Sequence, residues 1–201
     1  MCDTNPRIYA VSTKPLKRGV KHGVWVDITC TASEIDQAIR DMLDDCPDGG
    51  TTWEIHTAAN MYGERMAGRY SPTTLAHMGE MISRFGRPWF VLAQHLDRYD
   101  LSEEWFVSAY CGEVGLQQFA RWLIEIDELG ILSEEAYPFF NLSNFVADLQ
   151  RWTELLRLGR HLYWGVHSGW PMKMSLQERL KEQALLNGEA YHELGSRVPR
   201  P

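Results

Sequence analysis

Short stretches of β-branched and aromatic residues alternate with turn-forming residues at the start of the chain. Three such stretches, at 7–13, 24–28 and 52–57, have the length and composition of β-strands. The segment between the first two, 14–23, contains proline, glycine and four basic residues. Its composition predicts an exposed loop.

Apolar residues recur at helical spacing between the second and third strands. Ser33 is a suitable N-cap for a helix here, because its hydroxyl can accept a hydrogen bond from a free backbone N–H. The apolar stripe consists of Ile35, Ile39, Met42 and Leu43. Residues 7–60 are therefore predicted to form a small ββαβ unit.

The middle of the chain, 71–135, has helical periodicity. Ser71 followed by Pro72 is typical of a helix start. Further helices are predicted over 88–98, from Ser102 onward, and over 115–129.

After these helices, the pattern predicts one more helix and an aromatic strand at 161–166. The sequence thus predicts an α+β fold in four parts. They are an N-terminal ββαβ domain over 1–65, a central helical bundle over 66–135, a C-terminal α+β domain over 136–170, and a helical or flexible tail over 171–201.

Charged residues are grouped in blocks along the chain. The net charge is −7, but residues 22–64 sum to −8 and residues 97–148 to −9, while residues 1–21 carry +4. An acidic surface repels nucleic acid and attracts cationic grooves. The two acidic blocks therefore favour a partner protein that itself binds nucleic acid, and they disfavour direct contact with nucleic acid. Solubility alone is the alternative explanation, since most charge runs serve it.

Several of these acids are predicted at unfavourable positions late in helices. They are Asp41, Asp44 and Asp45 in the first helix, and Glu125, Asp127 and Glu128 in a later one. Carboxylates at a helix C-terminus oppose the helix dipole by about 0.3–1 kcal/mol each at low salt. Their clustering there indicates a role beyond solubility.

Sequence motifs that carry enzymatic chemistry are missing. The sequence contains no phosphate-binding loop, dinucleotide fingerprint, nucleophile elbow or paired-histidine zinc motif. Its four cysteines match no zinc or redox spacing and are expected to be free thiols. No catalytic residue, metal ligand or cofactor is therefore predicted. A small metal-dependent hydrolase that uses His56, His95 or His161 is the alternative from another functional class.

The sequence shows neither a secretory signal nor an apolar run long enough to cross a bilayer. These features predict a cytoplasmic protein without membrane contact.

Three groups of residues follow one another in a distinctive order and spacing. The first comprises Ile8-Tyr9-Ala10, Gly23-Val24-Trp25-Val26-Asp27, an acidic helix and Trp53-Glu54-Ile55-His56. The second comprises Phe106, Tyr110, Gly112-Glu113 and Phe119-Ala120, and the third is Phe145-Val146-Ala147-Asp148-Leu149 before an aromatic strand. Over about residues 7–166, this arrangement resembles the ArdA family of antirestriction proteins, which plasmids, transposons and phages carry.

The resemblance implies an elongated chain of three small domains, paired as a homodimer in the bacterial cytoplasm. It also implies a DNA mimic, whose carboxylates stand in for phosphates and occupy the DNA-binding groove of Type I restriction–modification enzymes. Such a mimic protects incoming DNA whatever its sequence, because it offers no base edges to be read. The acids that the resemblance assigns to this surface are Asp36, Asp41, Asp44, Asp45 and Asp48 in the first domain, and Glu103, Glu104, Glu113, Glu125, Asp127, Glu128, Glu134 and Glu135 in the second.

A second target class shares the same surface chemistry. CRISPR effectors also hold nucleic acid in a cationic channel, so an anti-CRISPR inhibitor is the alternative function. Neither the antirestriction nor the anti-CRISPR hypothesis assigns a role to the basic segment 14–21 or to the tail 171–201.

Overall fold

The computed structural model describes residues 4–17, 19–63, 66–125, 141–149 and 155–165. These residues form helices and two three-stranded antiparallel sheets, which confirms the α+β class. The chain divides into two compact units, Met1–Leu101 (unit 1) and Ser102–Pro201 (unit 2).

Unit 1 combines one sheet with helices that cover one of its faces. In chain order its elements are β1 (Arg7–Ser12), α1 (Thr13–Leu16), β2 (Gly23–Asp27), α2 (Ala32–Asp44), β3 (Trp53–Ala59), α3 (Pro72–Phe85) and α4 (Arg87–Leu96). The predicted ββαβ order is confirmed. One correction concerns segment 14–23, which is not a loop throughout because it begins within the one-turn helix α1.

Strand β1 lies in the centre of the first sheet, in the order β2-β1-β3. Tyr9 lies opposite Trp25 of β2. On β3, Thr57 lies opposite Tyr9 and Ile55 opposite the next residue of β1, so His56 is the extra residue of a bulge. The inward-facing side chains are buried and form the core with α2; they include Ile8, Ala10, Val26, Ile35, Ile39 and Ile55.

The start of helix α2 differs from the prediction. Thr31, not Ser33, is the N-cap, and Ser33 lies inside the first turn. The backbone N–H of Glu34 donates to Thr31 Oγ1 (3.3 Å), and the backbone N–H of Thr31 donates to Glu34 Oε2 (2.8 Å). This reciprocal capping box satisfies two backbone donors at once, whereas Ser33 as N-cap would have had no glutamate three residues later.

Helix α3 begins as predicted, with Ser71 as N-cap and Pro72 at the first helical position. Gly86, with φ 67°, ends it and connects directly to α4. At its middle, α3 approaches the chain after β2 very closely. A Cβ added at Gly79 would lie 1.9 Å from the carbonyl oxygen of Ile28, so only glycine allows this contact.

Unit 2 contains the second sheet, in the order β4-β6-β5. In chain order its described elements are α5 (Glu103–Ala109), β4 (Tyr110–Gly112), α6 (Leu116–Glu125), α7 (Leu142–Leu149), β5 (Leu155–Leu158) and β6 (His161–Trp164). Phe119, Leu123, Leu149 and Leu162 are at the centre of its core.

Two strands of unit 2 correct the sequence analysis. The prediction of helix throughout 71–135 is wrong at β4, which pairs with β6 about fifty residues later. Strand β5 was not predicted, because its residues are three leucines and an arginine, which favour helix. It is a strand because Gly159, with φ 61°, provides the two-residue turn that pairs it with β6.

The predicted helix over 115–129 is described as far as Glu125. The tail 171–201 lies outside the described residues, and the division into three domains and a tail stays a prediction. None of the described helices combines the length and the apolar character that a membrane span requires.

Replacing Thr31 by alanine should lower the free energy of unfolding by about 0.5–2 kcal/mol, because it removes the cap of α2. The matched control, Ser33→Ala, should stay within about 0.5 kcal/mol of the parent, since Ser33 is exposed and caps nothing. Urea unfolding followed by circular dichroism gives both values. Equal losses in the two variants would show that Thr31 is not the cap.

The capping box also predicts a pH dependence. Hydrogen bonds from the Thr31 hydroxyl and backbone hold the pKa of Glu34 below its ordinary value. The stability from the ionised carboxylate is therefore present at neutral pH and is lost as the pH falls through the lowered, folded-state pKa. The difference between the parent and the Thr31→Ala variant should shrink in acid.

Alanine at Gly79 should destabilise the protein, although alanine favours helix over glycine by about 1 kcal/mol. The new Cβ must displace the backbone of Ile28, and overpacking of this kind costs about 1–3 kcal/mol. Thr73→Ala, at an exposed position of the same helix, is the control and should be neutral or stabilising. Thermal unfolding distinguishes the two, and a stabilised Gly79→Ala variant would contradict the close approach.

Candidate functional site

Helix α2 presents an acidic face to solvent. Its buried stripe fixes which side faces out, and the capping box fixes where it starts. Apart from Glu34, whose carboxylate belongs to the capping box, its exposed or half-buried acids are Asp36, Asp41 and Asp44, followed by Asp45 at the C-cap and Asp48 in the next turn. The structure therefore brings the predicted acids of the first domain together on one helix and the turn that follows it.

The C-terminal end of α2 is the most acidic part of this face. Asp41 and Asp44 lie in its last turn, no basic residue of the helix does, and Asp45 follows at once. Gln37 donates a 2.6 Å hydrogen bond to Asp41. Among the described residues, no cationic side chain forms an ion pair with Asp41, Asp44 or Asp45. The predicted position of these carboxylates late in the helix is confirmed.

Groups from outside the helix bind one of its last carbonyl oxygens and two carbonyl oxygens of the turn that follows it. His22 Nε2–H, just before β2, donates to the Met42 carbonyl at 2.7 Å. Lys14 Nζ, in α1, donates to the carbonyls of Asp48 and Gly49 at 2.9 and 3.3 Å. These donors complement the negative end of the dipole, and they reach backbone oxygens rather than the exposed carboxylates.

Asp36 differs from the acids at the end of α2. It forms an ion pair with Arg40, one turn later, at 2.6 Å. The pair lies on the surface, where such contacts contribute little to stability. The Arg40 guanidinium also offsets the negative charge of Asp36, so this carboxylate adds less than the others to the negative charge of the face.

In unit 2, Glu103 and Glu104 are both exposed in the first turn of α5. Ser102 caps this helix and accepts a hydrogen bond from the Trp105 N–H at 3.2 Å. Here the dipole favours the carboxylates. The helix dipole therefore explains why Glu103 and Glu104 occur at this position, whereas it opposes the acids at the end of α2.

Glu113 belongs to a mixed cluster instead of an acidic face. Arg160 Nη1 lies 3.3 Å from one of its carboxylate oxygens, and His161 Nδ1 lies 3.6 Å from the other. The Tyr110 hydroxyl is 3.2 Å from the same His161 nitrogen. Burial, aided by the Glu113 charge, raises the pKa of Tyr110 to about 12.

The remaining predicted acids are described only in part. Glu125 is the last residue of α6. Asp127, Glu128, Glu134 and Glu135 lie outside the described residues.

The three histidines of the hydrolase alternative occupy separate places. His56 is exposed on β3, His95 is exposed near the end of α4, and His161 is buried on β6. Within the described part of the chain, no three histidine, cysteine, aspartate or glutamate side chains are arranged to hold a metal ion.

Sequence reasoning missed a group of side chains on the first sheet. Trp25, Tyr9 and His56 form a row across β2, β1 and β3, with ring centroids 5.2 and 6.4 Å apart. Arg7 lies over Trp25, 5.2 Å from the centre of its ring. Alternation along β1 predicts that Arg7 and Tyr9 share a face, but their neighbours depend on strand register, which the sequence does not specify.

Comparison with known proteins adds no relative to this geometry: no family model matches the sequence, and no curated protein is significantly similar to it.

Neutralising Asp44 and Asp45 to asparagine should stabilise unit 1 by about 0.3–1 kcal/mol for each residue at low salt, because an unfavourable charge leaves the end of α2. Glu103→Gln with Glu104→Gln is the matched control, and the loss of favourable charge at the start of α5 should be destabilising. Chemical unfolding at low and at high salt checks both signs. Destabilisation by the asparagines would show that the carboxylates have a structural role.

Proposed function

We propose that the protein is a non-catalytic inhibitor that mimics DNA and occupies the DNA-binding groove of a Type I restriction–modification enzyme. The observation that carries this proposal is the exposed carboxylate group at the end of α2, formed by Asp41, Asp44 and Asp45. These charges repel one another and oppose the helix dipole. A cationic partner would turn this unfavourable arrangement into favourable binding energy.

The geometry of α2 suits such a partner. A helix that is capped at its start and buried along one stripe holds its exposed carboxylates at fixed spacing. DNA-binding grooves are lined with lysine and arginine that contact phosphates. Because carboxylates match the charge of phosphates and present no base edges, the inhibitor would act on enzymes of different sequence specificity.

Charge density shows how much α2 can contribute alone. From Asp36 to Asp45 the helix advances about 13 Å, and its four acids and Arg40 leave a net charge of −3. The same length of B-DNA carries about eight negative charges. The proposal therefore requires both acidic blocks, and the homodimer that the resemblance implies would double them.

The acids assigned to the mimic surface are not equivalent. Asp36 and Glu113 have arginine partners at 2.6 and 3.3 Å, so each must exchange an internal ion pair for an external one. Asp41, Asp44 and Asp45 make no such exchange within the described residues. We therefore assign the largest share of binding to these three.

Changing Asp41, Asp44 and Asp45 together to lysine should weaken inhibition at least about tenfold, since attraction is replaced by repulsion at the centre of the acidic face. The assay is cleavage of unmethylated DNA by a purified Type I enzyme, with inhibitor titrated at low and at high salt. Inhibition by the parent should weaken as salt rises. Single substitutions should have small effects.

The matched control changes three other exposed acids of unit 1, Glu80, Asp97 and Asp100, to lysine. It alters net charge equally and should keep most of the inhibition. If both triple variants lose inhibition equally, only total charge matters. A parent-like Asp41/Asp44/Asp45 variant would exclude α2 from the interface. Inhibition of a CRISPR effector, but not of a Type I enzyme, would favour the alternative target.

A further inference from the structure

The row of three rings lies on the sheet face opposite to the buried residues Ile8 and Ala10. Trp25 remains 45% exposed even with Arg7 above it, and His56 is also exposed. Trp25 lies at one end of the row, on the edge strand β2, with Tyr9 beside it, and the part of its indole that Arg7 leaves uncovered is open to an aromatic partner. Helix α2 and its acids lie on the other side of the same sheet.

The bulge on β3 shapes one end of the row. It makes His56 and Thr57 both exposed on adjacent positions. They border a cavity of about 490 Å³, which Asn60 also lines. Asn60 itself has a left-handed backbone, with φ 60°. A volume of this size lies within the range of small-molecule sites in proteins.

The basic segment 14–21, which the proposed inhibitor function does not explain, lies at one end of the same sheet. It connects β1 to β2, and its Lys17 and Lys21 are exposed. Lys21 is four residues before Trp25, about 13 Å along an extended chain. Lys14 is different, because its ammonium already binds the two carbonyls after α2.

We propose that this face of unit 1 binds single-stranded nucleic acid, with bases stacked on Trp25, Tyr9 and His56 and phosphates near Lys17 and Lys21. Exposed aromatic rings beside basic residues are the combination that single-strand-binding proteins use. The inference does not depend on the proposed inhibitor function, since it uses other residues on the opposite side of the sheet. The prediction of no direct nucleic acid contact was derived from the acidic blocks and does not cover this face.

A single strand fits this face better than a duplex or a second protein. Stacking on a ring requires a base whose own face is free, which a duplex does not offer. The sheet face spans three strands, about 10 Å across, whereas a stable protein complex buries about 800 Å² on each partner. Asp27 and Glu54 add negative charge nearby. Asp27 lies opposite Arg7, whose positive charge offsets it, and Glu54 is half-buried. The two carboxylates therefore weaken the binding of a single strand without preventing it, and we expect binding that is measurable at low salt.

The test measures fluorescence anisotropy of labelled twelve-residue oligothymidine and oligouridine with the full-length protein at low salt. Trp25→Ala should weaken binding at least about fivefold, because one base loses its stacking partner. Trp25→Phe keeps a ring and should restore part of the affinity. Tyr62→Ala is the matched control, since Tyr62 is similarly exposed, at 44%, but lies outside the row.

Two further measurements test the contribution of the lysine charges and the preference for a single strand over a duplex. Lys17→Ala with Lys21→Ala should weaken binding and reduce its dependence on salt, while the labelled duplex should bind more weakly than either single strand. Absence of single-strand binding, equal binding of the duplex, or an equal effect of Trp25→Ala and Tyr62→Ala would overturn the proposal. A change in molecular mass with Trp25→Ala, without single-strand binding, would assign the face to a second copy of the chain instead.

Discussion

The placement of negative charge at the negative end of helix α2 is the constraint around which unit 1 is organised. A helix with Asp41 and Asp44 in its last turn requires stabilisation from elsewhere, and three features provide it. Its start carries a reciprocal capping box, and Ile35, Ile39 and Met42 of its inner stripe are buried. Other segments donate hydrogen bonds to the Met42 carbonyl near its end and to two carbonyls of the turn after it. Each feature acts away from the carboxylates themselves, which therefore stay exposed.

The first sheet separates two surfaces of different chemistry. One side packs against α2, whose outer face is acidic, and the other carries Arg7, Tyr9, Trp25 and His56. Because side chains alternate across a strand, consecutive residues of β1 serve the core and the ring row in turn. A substitution on the ring row therefore leaves the packing under α2 intact, and the two surfaces can be tested independently.

Local signals in the sequence predicted the parts of the fold that depend on neighbouring residues. Interactions between residues a few positions apart determine three of these features: the helix start at Ser71-Pro72, the apolar stripe of α2, and the position of Asp41, Asp44 and Asp45 late in that helix. Features that depend on distant partners were missed. Strand β4 exists because it pairs with β6, and Glu113 meets Arg160 across 47 residues. The N-cap of α2 was misassigned by two residues, because Ser33 and Thr31 are both good caps until Glu34 is considered.

Exposed carboxylates without internal partners have a consequence for recognition. In the free protein they are hydrated, so binding removes water from them but breaks no internal ion pair. An acid with an arginine partner, such as Asp36 or Glu113, loses that contact before it gains another. Since surface pairs contribute only about 0–1 kcal/mol, this difference is small for one residue. Summed over several acids, this difference favours binding through those without an internal ion pair. For this reason we place the centre of the proposed interface at the end of α2 and not across the whole acidic sequence.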